Sequence, residues 1–170
     1  MDGAEPFERD LDLAVVLSDG RETSETVEEA LESEFESVRE MAAASCHISQ
    51  QSLTQCLSSD DLTVRRSAAS NPTITPQQSL YVLLNEEAQE VRTALLLNWH
   101  CPSSLLGRVL RGTNDFSTQD RYCAALNLST PIADISEAIY DPVRRVSEAA
   151  LLHPLIEVDD ETTLTLVKSA

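Results

Sequence analysis

The sequence predicts an all-α solenoid of short helix pairs, about five repeats long, with degraded units at both ends. Three observations carry this. An asparagine slot recurs at Ser45, Asn71, Asn98, Asn127 and His153, spaced 26, 27, 29 and 26 residues apart. Seven positions before each slot stands Val38, Val64, Val91, Asp120 or Val146, and the first four are followed by Arg39, Arg65, Arg92 and Arg121. A small or apolar pair then falls on the same helical face in every unit, from Ala42-Ala43 to Ala150-Leu151. A fixed period of this length marks stacked supersecondary units.

Along the chain, Leu13–Leu17 before Asp19-Gly20 reads as the remnant of a second helix, and segment 23–36 as the first helix of the next unit. The first helix of each pair is expected to bury Val27/Leu31, Leu53/Leu57, Leu80/Leu84, Leu106/Leu110 and Ile135/Ile139, an i,i+4 pattern. Thr75-Pro76 followed by Gln78 fits a capping box with proline at the first helical position, and Cys101-Pro102 and Thr130-Pro131 suggest similar starts. The second helix runs from the Val-Arg pair to the asparagine, expected to close it in a left-handed cap. One three-residue insertion falls around Thr113–Asp115, and Asp159 or Asp160 is expected to cap a last helix through Leu164, Leu166 and Val167. Helices of about eight to ten residues do not persist alone, so the units must stack. The resulting division is an acidic N-terminal cap with a partial repeat over 1–22, a repeat array over 23–156, and a capping helix and tail over 157–170, all in one structural domain.

The pattern Asn71-Pro72, Leu80, Leu84, Glu87, Val91-Arg92, Ala94, Asn98 resembles the leucine-rich repeat variant family, bacterial helical repeats in the style of HEAT repeats. The likeness covers about residues 23–156, although Asn-Pro is intact only at 71–72. The resemblance implies a right-handed superhelix in which one helix of each pair is 3₁₀. It also implies a binding scaffold rather than an enzyme. One described member of that family carries a cysteine-rich iron–sulfur module, for which residues 1–36 have no cysteine.

Charge narrows the functions. The formal charge is -17, and residues 1–36 hold thirteen acids against Arg9 and Arg21. With a single lysine, Lys168, direct binding to a nucleic-acid backbone is not expected. The start MDGAEPFERD lacks a basic signal-peptide region, and no apolar run reaches membrane-helix length, so a soluble cytoplasmic protein is expected. The four cysteines Cys46, Cys56, Cys101 and Cys123 have neither zinc-ligand nor disulfide-framework spacing. Neither a nucleophile–base set nor a glycine-rich phosphate loop stands out, so the expectation is no enzyme, no metal and no cofactor.

The arginine row Arg39, Arg65, Arg92 and Arg121, with the asparagines Asn71, Asn98 and Asn127, reads as a structural ladder fastening neighbouring units. Glu34, Asp60, Asp61, Glu87 and Asp115 are the expected carboxylate partners. Two binding surfaces are open: an acidic face of Glu22, Glu25, Glu28, Glu29, Glu32 and Glu36, suited to a basic protein partner, and the turn residues Trp99, His100, Arg111 and Phe116. For Trp99 and Phe116, packing over the local core competes with binding. The leading functional reading is a scaffold for protein–protein interaction; the alternative is an acidic mimic that occupies a nucleic-acid-binding protein. A monomer or weak homodimer is expected.

Overall fold

A computed structural model describes residues 4–112 and 115–156. Eleven helices occupy them: α1 Ala4–Ser18, α2 Ser24–Leu31, α3 Glu36–Ala44, α4 Gln50–Cys56, α5 Leu62–Ser70, α6 Pro76–Asn85, α7 Gln89–Leu97, α8 Ser103–Arg111, α9 Thr118–Leu126, α10 Ile132–Ala138 and α11 Arg144–Leu151. Thr113 and Asn114, at the centre of the expected insertion, and residues 157–170, with the expected last helix, lie outside the described residues.

The chain falls into two compact units, Met1–His100 and Cys101–Ala170. In the first, α1 packs on α2 and α3, α3 on α5 and α5 on α7, while α4 and α6 lie against α5 and α7. In the second, α9 packs on α8 and α11, and α10 on α8 and α11. Each unit is thus a helical-repeat arrangement in which successive second helices support one another.

Local chemistry sets the helix limits. At the end of α1, Gly20 adopts φ +65°. Its N–H donates to the Leu17 carbonyl, and that of Arg21 to the Val16 carbonyl. This left-handed closure satisfies two end carbonyls at a position where a side chain would be strained. Thr23, Thr75 and Ser117 each close a capping box, and Ser49 and Asp61 cap α4 and α5. Pro76 stands in the first turn of α6, but Pro102 and Pro131 sit one place earlier, at the N-caps of α8 and α10. Thr130 therefore does not cap α10; its hydroxyl donates to the Ala124 carbonyl at 2.6 Å, near the end of α9.

The buried faces repeat. The second helices bury Val38/Ala42/Ala43, Val64/Ala68/Ala69, Val91/Leu95/Leu96 and Ala124/Ala125. In α9, Asp120 replaces the valine and stays buried because it accepts the Ser117 amide and hydroxyl in the capping box. The first helices bury Val27/Ala30, Leu53/Cys56/Leu57, Leu106/Val109/Leu110 and Ile135/Ala138/Ile139. The expected Leu80/Leu84 pair is one residue out of register: α6 buries Ser79, Val82 and Leu83, and Leu84 is exposed. The Thr75–Gln78 capping box fixes where α6 begins, so one extra residue is absorbed at its C-terminal end. Ser79 is tolerated in a leucine slot because its hydroxyl donates to the Thr75 carbonyl at 2.9 Å. Each buried Val, Leu or Ile contributes about 1.5–3 kcal/mol, so these faces outweigh the exposed ion pairs.

Two local expectations change. Both helices of each pair are α among the described residues, and i→i−3 bonding occurs in turns, as from Asn71 to Ala68 and from Ile74 to Asn71. The asparagines are not left-handed: Asn71, Asn98 and Asn127 have φ of -62°, -69° and -76° with extended ψ. In the second unit, Gly107 has a packing reason, since a Cβ there would run into the Asp134 carboxylate that pairs with Arg111.

Candidate functional site

A helix leaves its last carbonyls without internal partners. Here the next repeat supplies donors. Asn71 Nδ2 donates to the carbonyls of Ala43 and Ser45, at 2.8 and 2.9 Å. Asn98 repeats this on Ala69 and Asn71, at 3.1 and 2.9 Å. The other end of each side chain holds its own turn. Asn71 Oδ1 accepts from the Thr73 amide, Asn98 Oδ1 from His100 and Asn127 Oδ1 from Ser129, each two residues on. Ser45 accepts the His47 amide and donates its hydroxyl to Glu22, and His153 Nδ1 accepts from Leu155. The slot therefore needs an acceptor for the local turn, with Asn71 and Asn98 adding a donor to the end of the preceding repeat.

This ladder presents what flanks it. Leu97 and Trp99 stand on either side of buried Asn98, and Trp99 is 83% exposed. With Ser70, Pro72, Ala94 and His100 they line an open groove of about 490 Å³. Leu126 and Leu128, in the same register around Asn127, are also exposed, as is Leu152 beside His153. Leu97, Pro72 and Ala94 are groove residues that the sequence reading missed. The signal was available as apolar residues immediately beside a buried polar slot.

Three of the arginines donate to a backbone carbonyl in the turn before their own helix. Arg39 donates to the Ser33 carbonyl and Arg65 to the Ser59 carbonyl, both at 2.7 Å, while Arg92 donates to the Glu86 backbone carbonyl at 2.8 Å. All three acceptors lie six residues upstream, in the turn between the paired helices. The carboxylates come from the following repeat: Asp61 for Arg39 at 3.0 Å, Glu86 for Arg65 at 2.8 Å, and Asp141 for Arg121. None of these is the expected pairing, which sets Asp61 beside Arg65 and Glu34 beside Arg39, because the reach is 20–22 residues forward rather than into the preceding turn. Burial acts against the charge on Asp61 and Glu86, but hydrogen bonds from Thr63 and Arg39, and from Arg65 and Ala88, hold both carboxyls below their ordinary values. Arg121 and Asp141 are each 4% exposed, so theirs is a buried pair.

The six glutamates do not share one helix. Glu25, Glu28 and Glu29 lie on α2, Glu32 at its C-cap, Glu22 before it and Glu36 at the start of α3. Four are engaged internally: Glu22 with Ser45, Glu28 with Ser52, Glu29 with Arg9 and Glu36 with Thr63. Glu25, Glu29, Glu32 and Glu36 are exposed, and Glu22 and Glu28 are half-buried. Of the turn residues, Trp99 and His100 belong to the first unit and are exposed. Arg111 and Phe116 belong to the second: Arg111 pairs with Asp134, and the half-buried Phe116 ring lies over Gly112.

Cys46 is exposed, whereas Cys56, Cys101 and Cys123 are buried. Burial, with Glu28 nearby, pushes the Cys56 thiol up to about 11, and burial pushes Cys101 up to about 12. Among the described residues there is no group of three His, Cys, Asp or Glu able to hold a metal ion, and no helix long and apolar enough to cross a membrane. No protein-family model, curated protein or solved structure matches the chain.

Proposed function

We propose that this protein is a non-catalytic helical-repeat scaffold that binds a protein partner through the groove at Trp99. The observation that carries the reading is an aromatic side chain left in solvent on a backbone that is itself tightly held. Asn98, the residue before Trp99, is tied by its side chain to the preceding repeat, so the indole is presented with little backbone entropy left to lose on binding. Pro72, Ala94 and Leu97 beside it give an apolar floor, and His100 and Ser70 a polar edge. The proposal includes a right-handed array of about five repeats, with the leucine-rich repeat variant style of unit suggested by the Val-Arg and Asn-Pro slots.

An acidic partner-mimic has less support. Four of its six glutamates are tied to serine, threonine or arginine within the fold. A phosphate mimic needs its carboxylates available to the partner's cations.

The test is quantitative capture. The full chain and its Trp99→Ala variant are used to capture proteins from the native source, and the recovered protein is titrated against both. A buried tryptophan anchor is worth about 2 kcal/mol or more, or about 30-fold in affinity. Equal binding by the two forms would remove Trp99 and its groove from the function.

A further inference from the structure

The structure assigns a second surface: we propose that the outward face of α1 docks a basic amphipathic helix from a partner protein. This rests on the scaffold reading but uses different residues from the Trp99 groove. The inward side of α1 buries Asp10 and Leu13. The opposite side carries Phe7, Leu11 and Val15, which are 55%, 55% and 45% exposed. Their i,i+4,i+8 spacing aligns them in one stripe spanning about 12 Å of helix. Phe35, also exposed, extends the stripe through an edge-to-face contact with Phe7, ring centroids 5.8 Å apart. Single exposed apolar residues are ordinary, but four in a contiguous patch form a surface suited to a partner.

Charge selects the occupant. Glu8 and Asp12 are exposed on the flank of the stripe, and neither has an ion-pair partner among the described residues. The only two basic residues in 1–36 are engaged already, Arg9 with Glu29 and Arg21 with Asp19. A second copy of the chain would bring the same acidic flank and be repelled, as would an anionic membrane. An uncharged apolar helix would cover the stripe but desolvate Glu8 and Asp12 without compensation. A helix with apolar residues at i, i+4 and i+7 and lysine or arginine beside them satisfies both features.

The full-length chain is titrated with a fluorescent helical peptide of about sixteen residues, carrying a leucine stripe flanked by lysines. Parallel titrations use the same peptide with glutamates for lysines, a basic peptide with the leucines scattered, and phosphatidylcholine vesicles with and without phosphatidylserine. Sedimentation reports self-association. The basic striped peptide should bind at least tenfold tighter than either other peptide. Leu11→Ser with Val15→Ser should weaken it about tenfold, and Glu8→Lys with Asp12→Lys should weaken it and flatten its salt dependence. All four positions are exposed, so circular dichroism should show the variants folded. Equal binding of the three peptides, unaltered binding by the variants, vesicle binding, or self-association abolished by Leu11→Ser would each overturn the proposal. If Trp99→Ala loses the captured partner while the α1 variants leave both partner and peptide binding unchanged, this docking site fails and the scaffold reading stands.

Discussion

Replacing Asn71 tests whether the asparagine row or the apolar faces alone hold adjacent repeats in register. Asn71 is 1% exposed and makes four hydrogen bonds: two from Nδ2 to the preceding repeat and two to Oδ1 from the Thr73 amide and hydroxyl. Asn71→Ala removes all four and strips the Ala43 carbonyl, near the end of α3, of its donor. At about 1 kcal/mol net for each of the two inter-repeat bonds, plus about 1–3 kcal/mol for a buried carbonyl left unpaired, the cost is about 3–5 kcal/mol. With a urea slope of about 2 kcal/mol/M, the midpoint should fall by about 1.5–2.5 M. Asn71→Asp keeps both acceptors for Thr73 but turns an anion toward two carbonyl oxygens, so at neutral pH it should be worse than alanine. The introduced carboxyl would have its folded pKa raised above its unfolded value. The penalty relative to alanine is then absent below the unfolded pKa and grows as pH rises towards the folded one. Urea titrations followed by far-UV circular dichroism at neutral and mildly acidic pH measure both effects. A cost below about 1 kcal/mol for alanine, or aspartate no worse than alanine at neutral pH, would refute the ladder as the source of inter-repeat order.

Asp141→Ala leaves the Arg121 guanidinium buried without its carboxylate, and should cost about 3–5 kcal/mol in a urea titration; Arg121→Met combined with Asp141→Leu should recover most of it. Asp61 and Glu86 have depressed pKa values in the fold, so their contribution is present above the unfolded values near 3.8 and 4.5 and is lost as pH falls through the lower folded ones. Stability should therefore drop on acidification through that window, less steeply in Asp61→Asn; an unchanged acid limb would contradict the assignment. One thiol, Cys46, should react promptly with a disulfide reagent in the native protein, with Cys56, Cys101 and Cys123 reacting only on unfolding. Prompt reaction of more than one thiol would contradict the burial.

The second helices were legible from the sequence because their valine, small-pair and asparagine slots are local and periodic. The first helices were less so: in α6 a leucine pair at the expected spacing lies one residue from the buried face, because the cap at Thr75 and not leucine content decides the phase. Arg65 was recognisable as part of a row, yet its carboxylate, Glu86, is 21 residues away and in another helix pair. The α1 stripe was hidden because Phe7, Leu11 and Val15 look like core residues until the packing face of α1 is known.

By itself the sequence determined that the chain is built from short paired helices repeated about every 27 residues, because helical periodicity, caps and slot spacing are properties of neighbouring residues. Only the tertiary structure decided which side of α1 and of α6 is buried, which carboxylate each arginine meets, and that Trp99 and the α1 stripe face solvent. Those outcomes depend on what the next repeat brings alongside, and a side chain cannot encode that partner within its own turn of helix.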